Sequence, residues 1–242
     1  MSYVGGKSLS AGHILAVLND PIFDNMDYME PFVGYAHVLR RVIKKRSYTA
    51  SDNNALLVKL LRGIQNGRPI PHISKVEYDI LKNEKTISLR RAVAAFTYSF
   101  NGKEWGGYTT IYNGATGQRR PPEERKRYYE KLRLNNAFQR TSIQHCCYTA
   151  IQPHNKLIYC DPPYAGTTSY GGDFDHYKFW QTMRKWSQDN VVFVSEYAAP
   201  SDFICVASRN KAMSLRGAHR KQMRTENLYM HPKCNEYLSL RG

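Results

Sequence analysis

Short apolar runs that end in an acidic residue are the most regular pattern along this chain. Four of them, DYMEPF, SYTASD, KLIYCD and NVVFVSEY, have the length and the apolar and aromatic content of strands. Segments such as HILAVLND and VLRRVIKK instead place apolar residues at helical spacing. This alternation predicts an α/β fold with a mainly parallel sheet and helices on both faces.

The acids that end these strands are the first candidates for a functional site. Ligands of such sheets bind beyond the carboxyl ends of the strands, which share one edge. We therefore expect four acidic residues at that edge: Glu30, Asp52, Asp161 and Glu196.

Residues 67–140 interrupt the alternation. SLRRAVAAFTYSF predicts a helix, and PPEERKRYYEKLRL predicts a basic helix that begins after two prolines with glutamates in its first turn. Between them, the glycine-rich NGKEWGGYTTIYNGATGQRRPP is a long loop, and loops of this length are usually functional or disordered. We interpret 67–140 as an inserted, substrate-facing domain, and 1–66 together with 141–242 as the main domain.

Charge indicates the kind of partner. The chain has 35 Lys and Arg against 20 Asp and Glu, a net charge of +15, which favours nucleic acid over an anionic membrane or a purely solubilising role. A second basic stretch, RNKAMSLRGAHRKQMR, predicts a loop that is either solvated or in contact with phosphate.

Other broad features point to an intracellular protein. The beginning of the chain has neither a signal-peptide pattern nor a long apolar run, so we expect no membrane span. Five cysteines without C-x-x-C spacing favour reduced thiols over a disulfide or zinc framework.

The stretch MEPFVGYAHVLRRV combines a strand, a glycine turn and a predicted helix. The strand ends at Glu30, the turn contains Gly34, and the helix is expected to begin near Ala36. In this arrangement the backbone approaches a ligand closely and a helix amino end faces it. Gly34 is also compatible with an ordinary turn.

The stretch YTASDNNALL places Asp52 at the end of the next strand, about twenty residues beyond the glycine turn. Nucleotide-binding α/β units place an acid at this separation to bind ribose hydroxyls. Asn53 or Asn54 also suits the N-cap of the following helix, with Asp52 as a helix-start charge. The two roles are compatible, and an adenosine-containing ligand is favoured although G-x-G-x-x-G is absent.

The third motif is DPPY at residues 161–164, within LIYCDPPYAG. It resembles the tetrapeptide of amino-group methyltransferases that use S-adenosylmethionine. EPFVGYA, SDNN and the N-terminal VGGKS occur in the order seen in Dam-like N6-adenine DNA methyltransferases of the α permutation. The resemblance extends over nearly the whole chain, and VVFVSEYAAP is similar to phage and large-virus members. It implies a Rossmann-like S-adenosylmethionine-dependent methyltransferase sheet with a smaller target-recognition insert.

The DPPY chemistry follows from the weak nucleophilicity of adenine N6. The carboxylate of Asp161 and the main-chain carbonyl of Pro162 can each accept one N6 hydrogen, and the fixed φ angles of Pro162 and Pro163 hold both acceptors in place. Tyr164 offers a face on which a flipped base stacks, and its alternative role is to anchor the loop. Methyl transfer is a direct displacement that needs no cysteine nucleophile.

The resemblance also implies the donor site. Lys7 contacts the methionine carboxylate, Asp52 contacts the ribose, and Cys147 and Tyr148 line the adenine pocket. The full implied set is Tyr3, Lys7, Glu30, Phe32, Gly34, Ala36, Asp52, Asn53, Cys147, Tyr148 and Asp161. Two members depart from the family pattern, since Ala36 replaces a glycine and Cys147 replaces an acid or hydroxyl. We expect modest donor affinity unless a neighbour substitutes for Cys147.

The family reads its target sequence with the insert. Candidate nucleic-acid contacts are Asn101, Lys103, Trp105, Tyr108, Arg119, Arg120 and Arg125, because phosphate and groove contacts suit these side chains. The expected partner is double-stranded DNA, with a cognate restriction endonuclease as a further candidate and a monomer or homodimer as the assembly. S-adenosylmethionine is the expected donor, with S-adenosylhomocysteine as product and no metal.

Three alternatives remain at this stage. The same acceptor site suits an RNA adenine or a DNA N4-cytosine methyltransferase, and a degenerate enzyme kept as a silent DNA-binding module is also compatible with the charge. Ser195 and Glu196 either brace the DPPY loop or form an ordinary strand end.

Overall fold

The helices and strands are those of a computed structural model, which describes residues 11–44, 46–109, 112–114, 117–119, 121–165, 174–214 and 221–239. The strands are β1 (Asp27–Glu30), β2 (Tyr48–Asp52), β3 (Tyr112–Gly114), β4 (Gly117–Arg119), β5 (Thr141–His145), β6 (Lys156–Cys160), β7 (Val191–Glu196), β8 (Ile204–Ser214) and β9 (Lys221–Met230). The helices are α1 (Gly12–Leu18), α2 (Ala55–Gln65), α3 (Lys75–Asn83), α4 (Leu89–Thr97), α5 (Pro121–Arg133), α6 (Asn136–Gln139), α7 (His176–Trp186) and α8 (Lys233–Ser239).

The main sheet has the order β5-β2-β1-β6-β7-β9-β8. The strands from β5 to β7 are parallel, and β9 runs antiparallel to both β7 and β8. Counted within this sheet alone, the order is 3-2-1-4-5-7-6, which reproduces the 3-2-1-4-5 core of doubly wound nucleotide-binding sheets. The predicted α/β class is confirmed.

The central strands lie in the core. All six residues of β7 are buried, as expected for a parallel strand covered on both faces. Helix α7 covers this part of the sheet with a buried stripe of Phe179, Trp180, Met183 and Trp186, the spacing of one helix face. The Cys160 thiol lies 3.6 Å from the Met183 sulfur, so α7 packs directly above the strand that leads to DPPY.

Helices α3 to α6 occupy the segment interpreted as an insert, and both predicted helices in it are present. Helix α4 begins after Ser88, whose hydroxyl accepts from the amide of Arg91 at 3.1 Å, a regular N-cap. Its buried face, which includes Val93 and Phe96, belongs to the same apolar core as the sheet. The division into a main domain and an insert stays a prediction.

Side-chain hydrogen bonds join the insert to the glycine turn and to the N-cap of α2. The Tyr35 hydroxyl donates to the Gly102 carbonyl at 3.1 Å, and the Tyr128 hydroxyl donates to the Tyr35 carbonyl at 2.7 Å. The Asn54 amide donates to the Glu104 carboxylate at 2.6 Å. The loop that begins at Asn101 is therefore fixed directly beside the first two motifs.

The helix predicted for VLRRVIKK is wrong. The structure has only a 3₁₀ turn at Leu39–Arg41, after which the backbone is extended at Val42. Tyr48 explains the change, since its hydroxyl donates to the Val42 carbonyl at 3.0 Å and accepts from the Lys44 amide at 2.7 Å. A side chain from β2 thus takes backbone groups that a helix needs for itself.

The loop predicted for RNKAMSLRGAHRKQMR is also wrong over most of its length. Strands β8 and β9 pair from Ile204 and Met230 to Ser214 and Lys221, so most of the stretch forms a β-hairpin. Of its basic residues, Arg209 and Lys211 lie on the edge strand β8, where Lys and Arg are common because they oppose edge-to-edge pairing, and Lys221 and Arg224 lie on β9. The long loop of the insert contains a short hairpin as well, formed by β3 and β4.

Candidate active site

The four strand-end acids lie at one edge of the sheet, as predicted. Glu30 ends β1, Asp52 ends β2, Asp161 follows β6, and Glu196 ends β7. These strands are parallel neighbours in the order β2, β1, β6, β7, so their carboxyl ends are adjacent. The edge is therefore rich in carboxylates.

Glu30 is buried within this edge. It is 2 % exposed, and the Tyr28 hydroxyl donates to its carboxylate at 2.9 Å. Burial raises the pKa of Glu30 well above its usual range, and the nearby negative charge of Asp161 acts in the same direction. The site favours the protonated form of Glu30.

Asp52 shapes the glycine turn. Its carboxylate accepts from the Gly34 amide at 3.1 Å and from the Asn54 amide at 2.9 Å. Burial raises the pKa of Asp52, and these two backbone hydrogen bonds oppose the shift. Each carboxylate oxygen accepts more than one hydrogen bond, so Asp52 retains capacity for a ribose hydroxyl.

The turn itself uses left-handed backbone at two positions. Gly34 has φ +49°, and Ala36 has φ +56°. Glycine adopts this conformation without strain, whereas alanine pays for the contact of its Cβ with the backbone. The glycine that the resemblance places at the position of Ala36 thus has a backbone reason, and Ala36 adopts this conformation as a strained residue.

The asparagines after Asp52 have separate roles. Asn54 is the N-cap of α2, because its side-chain oxygen accepts from the Leu57 amide at 3.0 Å. Asn53 is exposed, and its carbonyl lies 3.2 Å from His145 Nε2. Of the two N-cap candidates, the structure selects Asn54 and leaves the Asn53 side chain at the surface.

Aromatic rings form a wall next to the turn. The Phe32 ring lies 5.2 Å from that of Tyr148 and 5.8 Å from that of Phe179, and Phe174 contacts both Phe32 and Tyr148. Burial raises the pKa of Tyr148 to about 12. Sequence reasoning missed Phe174 and Phe179. The signal that could have found them is a pair of aromatic residues, one just before α7 and one in its first turn.

Cys147 precedes the 3₁₀ turn that carries Tyr148. Its sulfur lies 3.1 Å from the hydroxyl of Thr149, an exposed residue. Thr149 therefore supplies, two residues along, the kind of polar group that Cys147 lacks. It was not among the predicted site residues.

Two contacts to neighbouring strands fix the DPPY loop. The Ala165 amide donates to the Glu196 carboxylate at 3.2 Å, and the Tyr164 hydroxyl donates to Glu226 at 2.6 Å. Pro162 is buried, while Asp161, Pro163 and Tyr164 are partly exposed. Glu196 thus braces the loop, one of its two expected roles, whereas the Ser195 hydroxyl pairs with Tyr159 at 2.9 Å, within the sheet.

The expected DNA contacts are dispersed over the insert. Trp105 packs against Tyr78 at 5.4 Å, and the Tyr108 hydroxyl donates to the Ile73 carbonyl at 2.9 Å. Arg125 is 5 % exposed and donates to the Thr97 carbonyl at 2.5 Å. Asn101 is exposed, with φ +53°, and Lys103 is half-buried.

Some of the predicted site residues lie outside the part of the chain that the structure describes. Tyr3, Lys7 and Arg120 lie outside the described residues, and Arg119 is described only as part of the backbone of β4. For Trp105, Tyr108 and Arg125 the structure supplies structural contacts, and their contact with DNA stays a prediction.

The sheet order, the DPPY loop after its fourth strand and the acid that ends its second are the features expected of a doubly wound methyltransferase. The family model of D12 class N6 adenine-specific DNA methyltransferases matches residues 3–196. The chain belongs to this family, as the motifs predicted. It is therefore an adenine-specific DNA methyltransferase, and this membership favours that function over the silent-module, RNA and N4-cytosine alternatives.

Several solved structures match this chain, and one of them is a ribosomal RNA methyltransferase. The rRNA methyltransferase aviRa from Streptomyces viridochromogenes is 14 % identical, with a TM-score of 0.38, over 92 % of this chain and 82 % of that chain. The comparison with curated proteins gives no match. No helix in the described ranges is long and apolar enough to cross a membrane.

Proposed function

We propose that this methyltransferase modifies N6 of an adenine that has been flipped out of double-stranded DNA, at a specific target sequence. The observation that carries the proposal is the placement of DPPY at the carboxyl end of β6, directly beside the carboxylate edge formed by β1 and β2. A donor bound along β1 and β2 then lies next to a base held by the loop.

Asp161 and Pro162 act on the nucleophile in this proposal. The Asp161 carboxylate and the Pro162 carbonyl accept the two N6 hydrogens and draw the amino nitrogen toward a tetrahedral shape. Both acceptors are fixed before the base arrives, since proline rings restrict the backbone and Glu196 holds the Ala165 amide. Preorganised acceptors stabilise charge where it develops, and one such group commonly contributes 10²-fold or more to turnover.

Tyr164 holds the flipped base in the same proposal. Stacking on an aromatic ring is worth roughly 1–3 kcal/mol, comparable to the cost of unstacking a base from the duplex. Its ring stands edge-on to that of Tyr197, with centroids 4.7 Å apart and an interplanar angle of 84°. The two rings are nearly perpendicular, so the contact with Tyr197 fixes the orientation of the Tyr164 ring.

S-adenosylmethionine, which the methyltransferase family implies, supplies an electrophilic methyl group. The residues around the glycine turn fit it: Asp52 has acceptor capacity for the ribose, and Phe32 and Tyr148 offer an aromatic wall to the adenine. Cys147 and Thr149 border that wall. We assign the remaining donor contacts to Glu30, Gly34, Ala36 and Asn53, with Tyr3 and Lys7 from the beginning of the chain.

The insert reads the DNA in this proposal. Asn101 and Lys103 begin a loop that is tied to the donor turn through Gly102 and Glu104, so a base-reading loop lies close to the chemistry. Arg119, Arg120 and exposed basic residues of α5 suit phosphate contacts. A cognate restriction endonuclease and a monomeric or homodimeric assembly complete the proposal.

The assignment of Asp161 is tested by Asp161→Ala with labelled S-adenosylmethionine and unmethylated DNA. We expect turnover to fall at least about 10²-fold, with donor affinity by calorimetry within a few-fold of wild type. Asp189→Ala is the matched control, because Asp189 is exposed beside the amino end of β7, opposite the site. Full activity of Asp161→Ala would exclude the proposed role.

A substrate comparison tests the duplex preference and the specificity for a target sequence. Equal amounts of double-stranded DNA, single-stranded DNA and RNA compete for a limiting amount of enzyme. The proposal expects label in duplex DNA at defined sites, which sequencing of the modified positions identifies. Label confined to RNA, or spread over adenines without regard to sequence, would contradict it.

A further inference from the structure

Tyr164 is held from a part of the chain that the methyltransferase motifs do not include. Its hydroxyl donates to Glu226 at 2.6 Å, and Glu226 is 2 % exposed in the middle of β9. Strand β9 lies beyond residues 3–196, the segment matched by the family model. Family membership therefore assigns no role to Glu226.

The same strand also holds the backbone of Tyr197, whose ring packs against that of Tyr164. The Tyr197 carbonyl accepts from the Asn227 amide at 3.1 Å and from the Tyr229 hydroxyl at 3.3 Å. Asn227 and Tyr229 are themselves joined by a hydrogen bond of 2.9 Å. Strand β9 thus fixes the hydroxyl of Tyr164 through Glu226, and it fixes the backbone of Tyr197 through Asn227 and Tyr229.

The geometry points to Glu226 as a positioning residue that sets the orientation of the Tyr164 ring for the flipped adenine. A tyrosine ring with a free hydroxyl rotates about its side-chain bonds, whereas one tied at its far end and packed against Tyr197 has a single orientation. Stacking geometry is then established before DNA binds, which reduces the ordering cost at the moment of binding. This inference rests on the proposed role of Tyr164 in holding the base.

The strength of the contact follows from its chemistry. A hydrogen bond to a carboxylate is shorter and stronger than one between neutral groups, and a buried carboxylate left without its donor is costly. Burial raises the pKa of Tyr164 well above its usual range, and Asp161 and Glu226 act in the same direction. Tyr164 therefore remains the donor and Glu226 the acceptor.

Four variants test the inference: Glu226→Gln, Glu226→Leu, Tyr164→Phe and the double variant Tyr164→Phe/Glu226→Leu. Gln retains an acceptor for the hydroxyl, so we expect kcat within about three-fold of wild type. Leu and Phe each remove the hydrogen bond, so each should lower kcat roughly 10-fold. The double variant should be no slower than the slower single variant, because both changes remove one interaction.

Controls separate positioning from loss of structure. Thr225→Ala alters the adjacent exposed position of β9, whose hydroxyl contacts only Asn210 among the bonds described, and should leave kcat unchanged. Donor affinity by calorimetry should be equal in all variants. Should Glu226→Leu fail to fold, Tyr164→Phe with Glu226 intact decides the question, since it removes the same bond from the other side.

Two results would overturn the inference: wild-type kcat in Tyr164→Phe or in folded Glu226→Leu, or losses that multiply to about 100-fold in the double variant. Failure of the proposed function is distinguishable from either. In that case the wild-type enzyme itself forms no N6-methyladenine in DNA, before any variant is compared.

Discussion

At the carboxyl edge of the sheet, carboxylates fix loops by accepting backbone N–H groups, whereas in the insert tyrosines and arginines fix loops by donating to backbone carbonyls. Asp52 accepts from Gly34 and Asn54, and Glu196 accepts from Ala165. In the insert, Tyr108 donates to Ile73, and Arg125 donates to Thr97. The two regions thus satisfy opposite backbone groups, N–H groups at the sheet edge and carbonyl groups in the insert.

The two regions therefore differ in the hydrogen-bonding groups that they have available for a ligand. Carboxylates that hold loops at the sheet edge keep lone pairs for hydroxyl or amino hydrogens, and their charge suits a cationic sulfonium donor. Arginines and tyrosines that hold loops in the insert already donate a hydrogen bond to a backbone carbonyl of the protein. The assignment of DNA contacts to these basic and aromatic residues, and of donor contacts to the strand-end acids, stays a prediction.

A large effect on donor binding is expected at Asp52. Asp52→Ala removes the acceptor of two backbone amides at once, so the glycine turn loses its support and the ribose loses its partner. We expect the KM for S-adenosylmethionine to rise at least about 10-fold, measured by initial rates at saturating DNA. Asp52→Asn keeps one acceptor oxygen and should fall between Ala and wild type. An unchanged KM in Asp52→Ala would show that the edge carboxylate is dispensable for the donor.

The next effect concerns Arg125 and is one of stability. Arg125→Met keeps an apolar stem but leaves the buried Thr97 carbonyl without its donor, which should lower the free energy of unfolding by about 2 kcal/mol. Urea denaturation measures the change.

Arg127 provides the matched control for Arg125, because it lies on the same helix and is exposed. Arg127→Met should alter stability by less than about 0.5 kcal/mol. If Arg127 contacts phosphate, the same variant reduces the salt slope of DNA binding by about 1. Equal stability losses for the two variants would remove the distinction between supporting and DNA-facing arginines.

His37 tests the junction between the two regions through pH. Its ring is 5 % exposed and lies 5.0 Å from that of Tyr128. Burial lowers the pKa of His37 to about 3, with Arg40 and Arg41 acting in the same direction. The unfolded chain takes up this proton below about 6.5 and the folded chain does not, so stability is present above pH 6.5 and is lost toward pH 3.

The loss due to His37 is at most about 1.4 kcal/mol per pH unit. Denaturation at pH 7 and pH 5 should therefore show a smaller difference in His37→Gln than in wild type. An identical pH dependence in the two proteins would show that His37 takes up a proton in the folded protein as readily as in the unfolded chain.

The smallest effect is expected at Ala36. Ala36→Gly relieves the left-handed backbone at φ +56° and should raise the free energy of unfolding by about 0.5–1 kcal/mol. Ala94→Gly, in the interior of α4, should instead lower it by about 1 kcal/mol. Stabilisation at Ala36 would account for the family's glycine by conformation alone, and destabilisation would show that the Cβ of Ala36 is needed for packing.

The sheet edge was predictable because its signals are local. An apolar run that ends in an acid specifies both the strand and the end at which Asp52 or Asp161 is presented, and parallel order then brings these ends together. DPPY is equally local, since two prolines stop a strand without any help from tertiary contacts. These parts of the site needed only short stretches of chain.

The failed predictions depended on contacts that hydrophobic periodicity does not encode. VLRRVIKK has helical periodicity, but the side-chain hydroxyl of Tyr48, only a few residues further along the chain, takes the backbone groups of Val42 and Lys44. The β8–β9 hairpin looked like a basic loop because an exposed edge strand carries no apolar alternation. The role of Glu226 could not be predicted from the sequence, because its partner Tyr164 is 62 residues away.

Chemical identification of the product tests the central claim most directly. Purified protein, labelled S-adenosylmethionine and unmethylated genomic DNA are incubated, and the DNA is digested to nucleosides for mass spectrometry, with Asp161→Ala in parallel. The account predicts labelled N6-methyladenine with the wild-type protein and none above background with Asp161→Ala. Labelled N4-methylcytosine, or N6-methyladenine formed equally by both proteins, would contradict it.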